Sequence, residues 1–189
     1  MMGDYVNIGI ISDTHGCINT WERVYNKYFA QCDFIIHAGD ILYHGPRNEI
    51  PKEYNPKGLA DVLNSCAIPI IATCGNCDAE VDSMVLDMPI QSPYAYMIVE
   101  GLRIVVTHGH NLAEEKKREM AVKFKANLFI TGHTHVPLLE KHNGIVYLNP
   151  GSPAMSKRDD GLGTVARLTG KSIEVFDVVT GQVIMSETL

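Results

Sequence analysis

Three apolar runs near the start of the chain alternate with two stretches of helical periodicity, and few folds accommodate that order. Tyr5 to Ser12 is rich in β-formers, and Asn19 followed three residues later by Glu22 has the form of a capping box opening an amphipathic helix to about Ala30. Phe34 to Ala38 repeats the strand signal. Asn55 and Pro56 mark the start of a second helix, whose apolar positions Leu59, Val62, Leu63 and Cys66 fall at i, i+3, i+4 and i+7. Ile68 to Thr73 is a third strand. Strands joined through helices run parallel with right-handed crossovers, so this βαβαβ order predicts a parallel sheet.

After Val81 the rhythm changes. Tyr94–Val99 and Leu102–Thr107, separated by Glu100 and Gly101, read as a hairpin, and Leu112 to Lys125 as a third helix. The charge run Glu114 to Glu119 fits a solvated helix face with Glu114 and Arg118 paired at i, i+4. Leu128–Thr131, Leu138–His142, Ile145–Leu148 and three strands between Thr164 and Glu187 follow, with Asn143-Gly144 as a type I′ turn and an antiparallel C-terminal third. No repeat or linker interrupts the pattern, so a single α/β domain over 1–189, two packed sheets flanked by helices, is expected. At 189 residues and 46% hydrophobic content the core suffices without a structural metal, so any metal is functional.

Composition also excludes partners. Val62 to Cys77 lacks Asp, Glu, Lys and Arg but is broken by Asn, Ser, Pro and Gly, short of the roughly 18 apolar residues of a membrane span. Met1 to Tyr5 carries an acid and no basic region, unlike a secretory signal. A net charge of −6 without a basic tract argues against non-specific nucleic-acid binding. Five cysteines, scattered apart from Cys74 and Cys77, suit a reducing compartment, so a cytoplasmic location is expected, with a homo-oligomer compatible.

Five apolar runs each end in a polar cluster: Asp13 with His15, then Asp40, Asn76, His108 with His110, and His133 with His135. In α/β sheets the carboxyl ends of strands are where ligands bind. Gly16, Gly39, Gly75, Gly109 and Gly132 accompany the clusters, and their backbone freedom would let tight turns aim the neighbouring side chains at one point. Taken alone, an Asp-x-His or an Asn after Gly is an ordinary loop or helix cap; the joint placement carries the argument. Asp13, His15, Asp40, Asn76, His108, His133 and His135 offer more oxygen and imidazole donors than one tetrahedral ion uses. Two divalent ions are therefore implied, with Asp40 bridging through its two carboxylate oxygens. Such donors suit Mn²⁺, Fe or Zn²⁺ better than Ca²⁺. His37 reads as a packed or supporting histidine, and His44 and His142 as surface residues.

Asp13-Thr-His15, Gly39-Asp40, Gly75-Asn-Cys-Asp78, Thr107-His-Gly-His110 and Gly132-His-Thr-His135 resemble the calcineurin-like metallophosphoesterases almost end to end. His44-Gly-Pro-Arg-Asn48, Tyr54-Asn-Pro56, Gly75 to Asp82 and Asn149-Pro-Gly-Ser152 are similar to the bacterial YfcE-type phosphodiesterases. The resemblance implies a four-layer αββα sandwich and a manganese-dependent enzyme, with Fe, Zn²⁺ or Ni²⁺ as alternatives. It implies Asp13, His15, Asp40 and His135 on one metal, and Asp40, Asn76, His108 and His133 on the other. The expected reaction is hydrolysis of a small phosphodiester by in-line attack of a hydroxide bridging the two ions.

Two departures from the wider family sharpen this. Ile-Leu-Tyr-His-Gly45 follows Asp40 in place of Asp-Arg-Gly, which disfavours protein phosphatase activity. Cys77 stands where most members have a His, so good leaving groups are expected to be favoured. Asn76 and Cys77 are the candidate catalytic residues, and His110 and Arg47 the candidate substrate contacts. The long segment from His44 to Asn55 is expected to fold over the site. The main rival reading is a protein-binding scaffold like the Vps29 retromer subunit, with a vestigial metal site. A weaker rival takes Cys74-Gly-Asn-Cys77 as a redox pair.

Overall fold

The computed structural model describes residues 5–189, so most of the Met1–Tyr5 segment lies outside the described residues. Strands β1 (Asn7–Ile11), β2 (Phe34–His37) and β3 (Ile70–Thr73) pair in parallel. Helices α1 (Ile18–Val24), which continues into a π turn at Tyr25–Phe29, and α2 (Pro56–Asn64) connect them. A two-residue strand β4 (Ile90–Gln91), preceded by the short helix α3 (Asp82–Val85), extends the parallel edge; neither is legible in the sequence. On the other edge β10 (Thr164–Thr169), β11 (Ser172–Asp177) and β12 (Val183–Thr188) add antiparallel, giving the order β12-β11-β10-β1-β2-β3-β4.

The second sheet runs β5-β6-β7-β9-β8, from β5 (Ala95–Val99), β6 (Leu102–Val106), β7 (Leu128–Ile130), β8 (Leu138–His142) and β9 (Ile145–Asn149), with α4 (Glu114–Lys123) between β6 and β7. Both sheets are mixed: β1 pairs parallel to β2 and antiparallel to β10, and β9 pairs parallel to β7 and antiparallel to β8. Ile8, Ile10, Ile36, Ile104, Val106 and Leu128 belong to the apolar layer between the sheets. Ile11 and Ile35 turn the other way, onto Trp21, Phe29, Leu59 and Leu63 of the α1–α2 layer, the alternation a strand buried on both faces requires. Gly9 belongs to that second face, where an added Cβ would meet the Phe29 ring at 2.6 Å. Val105, Phe129 and Tyr147 pack on Ala121 of α4, completing a four-layer αββα sandwich.

Local details differ from the sequence reading. The α1 N-cap is Cys17 with no side-chain cap, so Asn19 and Glu22 form no capping box there. The bridge of Cys17 to Tyr54 already holds that helix entry. Asn55 does cap α2, accepting from the Gly58 N–H at 2.9 Å. On α4, Glu114 pairs with Lys117 at 2.6 Å and Arg118 reaches across to Glu140 at 3.5 Å, instead of pairing with each other. Asn143 and Gly144 both have positive φ, as a type I′ turn demands.

Candidate metal centre

The first three parallel strands and β6 and β7 end on one side of the sandwich, and the loops after them meet there. Asp13 and His15 follow β1, Asp40 follows β2, Asn76 follows β3, His108 follows β6, and His133 and His135 follow β7. The backbone is forced at these positions: Asp13, His15, Asp40, His133 and His135 all have φ between +45° and +71°, a region that costs residues with a Cβ free energy. The ligand candidates thus carry the strained turns themselves. Gly75 and Gly132 serve differently from the freedom expected of them. A Cβ at Gly75 would collide with Asp40 Oδ1, and one at Gly132 with Ser12 Oγ and Asp13 Oδ2, so their role is to leave room for the carboxylates.

Five of the seven candidates meet in a tight cluster. His135 Nε2 lies 3.2 Å from Asp13 Oδ1, His108 Nε2 3.3 Å from Asp40 Oδ2, and His15 Nε2 3.7 and 3.8 Å from Asp13 Oδ1 and Asp40 Oδ2. Each imidazole is locked from behind by a backbone carbonyl: His15 Nδ1 to Tyr43 at 2.7 Å, His108 Nδ1 to Ala38 at 2.8 Å, His135 Nδ1 to Met155 at 2.6 Å. A carbonyl only accepts, so Nδ1 carries the proton and the Nε2 lone pair faces inward, as metal-binding imidazoles are held. His15 and His135 consequently point two Nε2 atoms at each other 3.1 Å apart. A divalent cation would be held by nitrogens so arranged.

The carboxylates are oriented in the same way. Asp13 Oδ2 accepts from Ser12 Oγ at 2.6 Å and the His133 N–H at 3.0 Å, leaving Oδ1 buried with no hydrogen-bond partner among the described residues. His108 Nε2 likewise has none. Asp40 Oδ1 accepts from the Cys77 N–H at 2.7 Å, so Oδ2 alone faces both His15 and His108. Orphaned acceptors, clamped imidazoles and a donor set of carboxylate oxygen and imidazole nitrogen fit divalent cations.

Electrostatics agree. Burial alone would raise the Asp13 pKa, but the close imidazoles of His135, His15 and His108 hold its carboxyl far below the usual carboxylate range. Burial opposes the charge on His108, yet the Asp40 and Asp13 carboxylates raise its pKa to about 9. The two carboxylates thus favour positive charge at this position, which a bound cation would supply. The Cys77 thiol, which burial and the Asp40 charge push up to about 12, stays protonated. Its Sγ falls within 4.8 Å of ligand atoms of His15 and Asp40, at the edge of the donor set.

Asn76 and His133 stand apart. Asn76 is exposed, its amide reaching Cys77 Sγ at 3.2 Å, and His133 is half-buried with its ring 5.3 Å from that of His108. Both line a cavity of about 950 Å³ with His15, Asp40, Cys77 and His135. Gly45 to Asn48 form part of its wall, so the long loop does reach over the centre and brings Arg47 with it. His110 lines a separate cavity of about 230 Å³ with Cys74 and Thr107. Cys74 and Cys77 are free thiols facing different cavities, and the pKa of Cys77 does not suit a redox nucleophile.

Of the supports, sequence reading named His37 and missed the others. Asp78 accepts from the N–H groups of Asp40, Ile41 and Gly75 at 2.7 to 2.8 Å, pinning two of the loops together. Thr14 donates to the Ile41 carbonyl, so the 2.9 Å contact of its Oγ with His37 Nε2 makes that nitrogen the donor, while the Gly39 N–H donates to Nδ1 at 3.2 Å. Burial lowers the His37 pKa to about 4 and keeps it neutral. Ser152 Oγ donates to the Asp13 carbonyl at 2.7 Å, and Lys157 is a second cation on the cavity wall. His44 is not a surface residue of the kind expected, since its ring packs edge-on against Tyr43 and Tyr54, whereas His142 is exposed.

The family model described as the calcineurin-like phosphoesterase superfamily domain matches residues 6–172. The chain belongs to that superfamily. It is similar to the phosphodiesterase YfcE of Escherichia coli K12, 39% identical over 148 residues, 77% of this chain and 78% of that protein. The solved structure of E. coli YfcE, described as a phosphoesterase, superposes with a TM-score of 0.85 at 29% identity, covering 97% of this chain and 99% of the other. A probable metallophosphoesterase of Methanothermobacter thermautotrophicus is 28% identical over 181 residues, 92% of each chain. Vps29 of Cryptosporidium parvum, with a TM-score of 0.69 at 14% identity over 98% of this chain and 99% of the other, shares the fold alone.

Proposed function

We propose that this chain, a metal-dependent hydrolase of phosphoric esters folded as one domain over 1–189, cleaves small phosphodiesters with two divalent ions. One observation carries the reading: three imidazoles clamped through Nδ1 turn their Nε2 atoms onto the free oxygens of Asp13 and Asp40. The similarity to E. coli YfcE, which is named a phosphodiesterase, supports the choice of diesters. Asp13, His15, Asp40 and His135 would hold one ion, and Asp40, Asn76, His108 and His133 the other. Bound ions supply Lewis acidity toward the phosphoryl oxygens and a hydroxide nucleophile at neutral pH.

The chain's own residues orient and exclude. Arg47 and Lys157, on the wall of the same cavity, offer charge to a phosphodiester anion. Cys77, with a pKa near 12, is a weak donor and a poor general acid, so an alcohol that leaves as a stable anion is the better substrate. The absence of thiolate from the donor set is the argument for Mn²⁺ over softer ions. Five free cysteines suit the cytoplasm. Among the described residues no helix is long and apolar enough to cross a membrane.

Protein loaded with Mn²⁺ and assayed against a panel of aryl phosphodiesters and phosphomonoesters should turn over the diesters with the higher kcat/KM. Preference for monoesters, or metal-independent turnover, overturns the reading.

A further inference from the structure

A second cavity adjoins the metal centre and differs from it in chemistry. It measures about 500 Å³ and lies between the loop after β2, helix α2 and the segment around α3. Its walls are apolar: Tyr43, Tyr54, Ala60, Val81 and Val85. Tyr43, Cys77 and Ala79 line both cavities, so the two are immediate neighbours. Of the charged side chains around it, Asp82 is buried and accepts from the Ala79 N–H at 2.9 Å, while Lys57 and Asp61 are exposed on α2 and opposite in sign.

The groove is built rather than incidental. Asn64 on α2 donates to the Val85 carbonyl at 2.8 Å and accepts from the Asp87 N–H at 2.9 Å, which fixes the outer wall against the helix. Yet Val81 and Val85 remain 56% and 47% exposed, and Tyr43 41%. Three large apolar side chains are thus left facing solvent, Tyr43 on the wall of both cavities and Val81 and Val85 on the groove alone. An apolar surface of that kind, within the roughly 300–1,000 Å³ range of small-molecule sites, is matched by a ligand that is charged at one end and apolar at the other.

We propose that this groove binds one ester arm of the phosphodiester, and that the arm is an uncharged, ring-bearing alcohol. The inference rests on the phosphodiesterase reading and deepens it. The phosphoryl group sits in the cavity of His15, Asp40, Arg47 and Lys157, and the arm passes Cys77 and Ala79 to lie against Tyr43, Val81 and Val85. Diesters with small or charged arms gain nothing from the groove.

The test uses two measurements. In metal-free protein, 2-naphthol should shift the methyl NMR signals of Val81, Val85 and Ala60 saturably, and the exposed double variant Val81→Glu/Val85→Glu should abolish the shifts at Ala60. In Mn²⁺-loaded protein the same variant should raise KM for bis(p-nitrophenyl) phosphate about tenfold, with kcat and the inhibition constant of inorganic phosphate unchanged. Absence of the methyl shifts, an unchanged KM, or a phosphate constant that rises with KM each overturns the proposal. Methyl shifts without turnover of any diester would leave the groove standing as a ring-binding site and remove the phosphodiesterase reading instead.

Discussion

Around Asp13, His15 and His135, all at most 3% exposed, the backbone or a neighbouring side chain holds every donor or acceptor that does not face the cavity, whereas Asn76 is exposed and His133 half-buried. The first group lies in loops cross-linked by Thr14, His37, Ser12 and Ser152. In the second, the ties are to the backbone: the His133 N–H donates to Asp13 and the Gly75 N–H to Asp78, while the side chains of Asn76 and His133 have no such clamp among the described residues. The contrast shows how one cavity divides its ordering cost. In the first half, orientation is fixed when the chain folds; in the second, part of it is deferred to ligand binding, which lowers apparent affinity.

The largest effect should come from joining the halves' fates. Asp40→Asn keeps an acceptor for the Cys77 N–H but removes the charge at the one oxygen facing both His15 and His108. Several kcal/mol of charge stabilisation correspond to a loss of about a thousandfold in kcat/KM, with bound Mn²⁺ falling from two per chain to at most one. A variant at full rate would show that the halves do not share this residue.

His37→Ala should act on the ordered half. It removes the donor to Thr14 and the acceptor for Gly39, and loss of such supports typically costs about 10- to 100-fold in metal affinity. The effect should show in Mn²⁺ titration and be partly rescued by His37→Gln. A uniform loss of thermal stability with unchanged affinity would assign His37 to packing alone.

Calorimetric titration with Mn²⁺ should resolve two unequal events, the first tighter by about tenfold or more, equivalent to about 1.4 kcal/mol. Asn76→Ala should weaken only the second. Two equal sites would break the comparison.

The smallest change is expected at Cys77. Cys77→Ala should alter turnover of activated aryl diesters by less than about fivefold, near 1 kcal/mol. Cys77→His should raise rates on monoesters or on diesters with poor leaving groups, after Gly45, whose added Cβ would already sit 2.9 Å from Sγ, gives way. If Cys77→Ala abolished turnover or weakened Mn²⁺ binding strongly, the thiol would be a ligand or an essential acid, and the division of the cavity would need redrawing.

Most of the parallel framework was legible because it is local. The Asn55-Pro56 start and the spacing of Leu59, Val62 and Leu63 name α2 with a mechanism, and the structure confirms cap and face. The Asn19 to Glu22 capping box failed because the loop contact between Cys17 and Tyr54 decides where α1 begins, a long-range pairing that overrides a weak local preference. The two-residue β4 carries too few residues for any periodicity.

The sequence by itself determined the chemistry: which residue types end the strands, in what order, and therefore that donors of oxygen and imidazole type meet at one edge. Side-chain periodicity and strand-end placement are properties of the chain, so they survive any detail of packing. Only the tertiary structure decided how those donors are used. That Asp40 turns one oxygen to the Cys77 N–H and the other to His15 and His108, that Gly75 and Gly132 make room for carboxylates instead of turning the chain, and that Tyr43, Ala38 and Met155 fix three imidazoles through their carbonyls depend on contacts between residues distant in the chain. A backbone carbonyl has no sequence signature, and a close approach is visible only once both partners are placed.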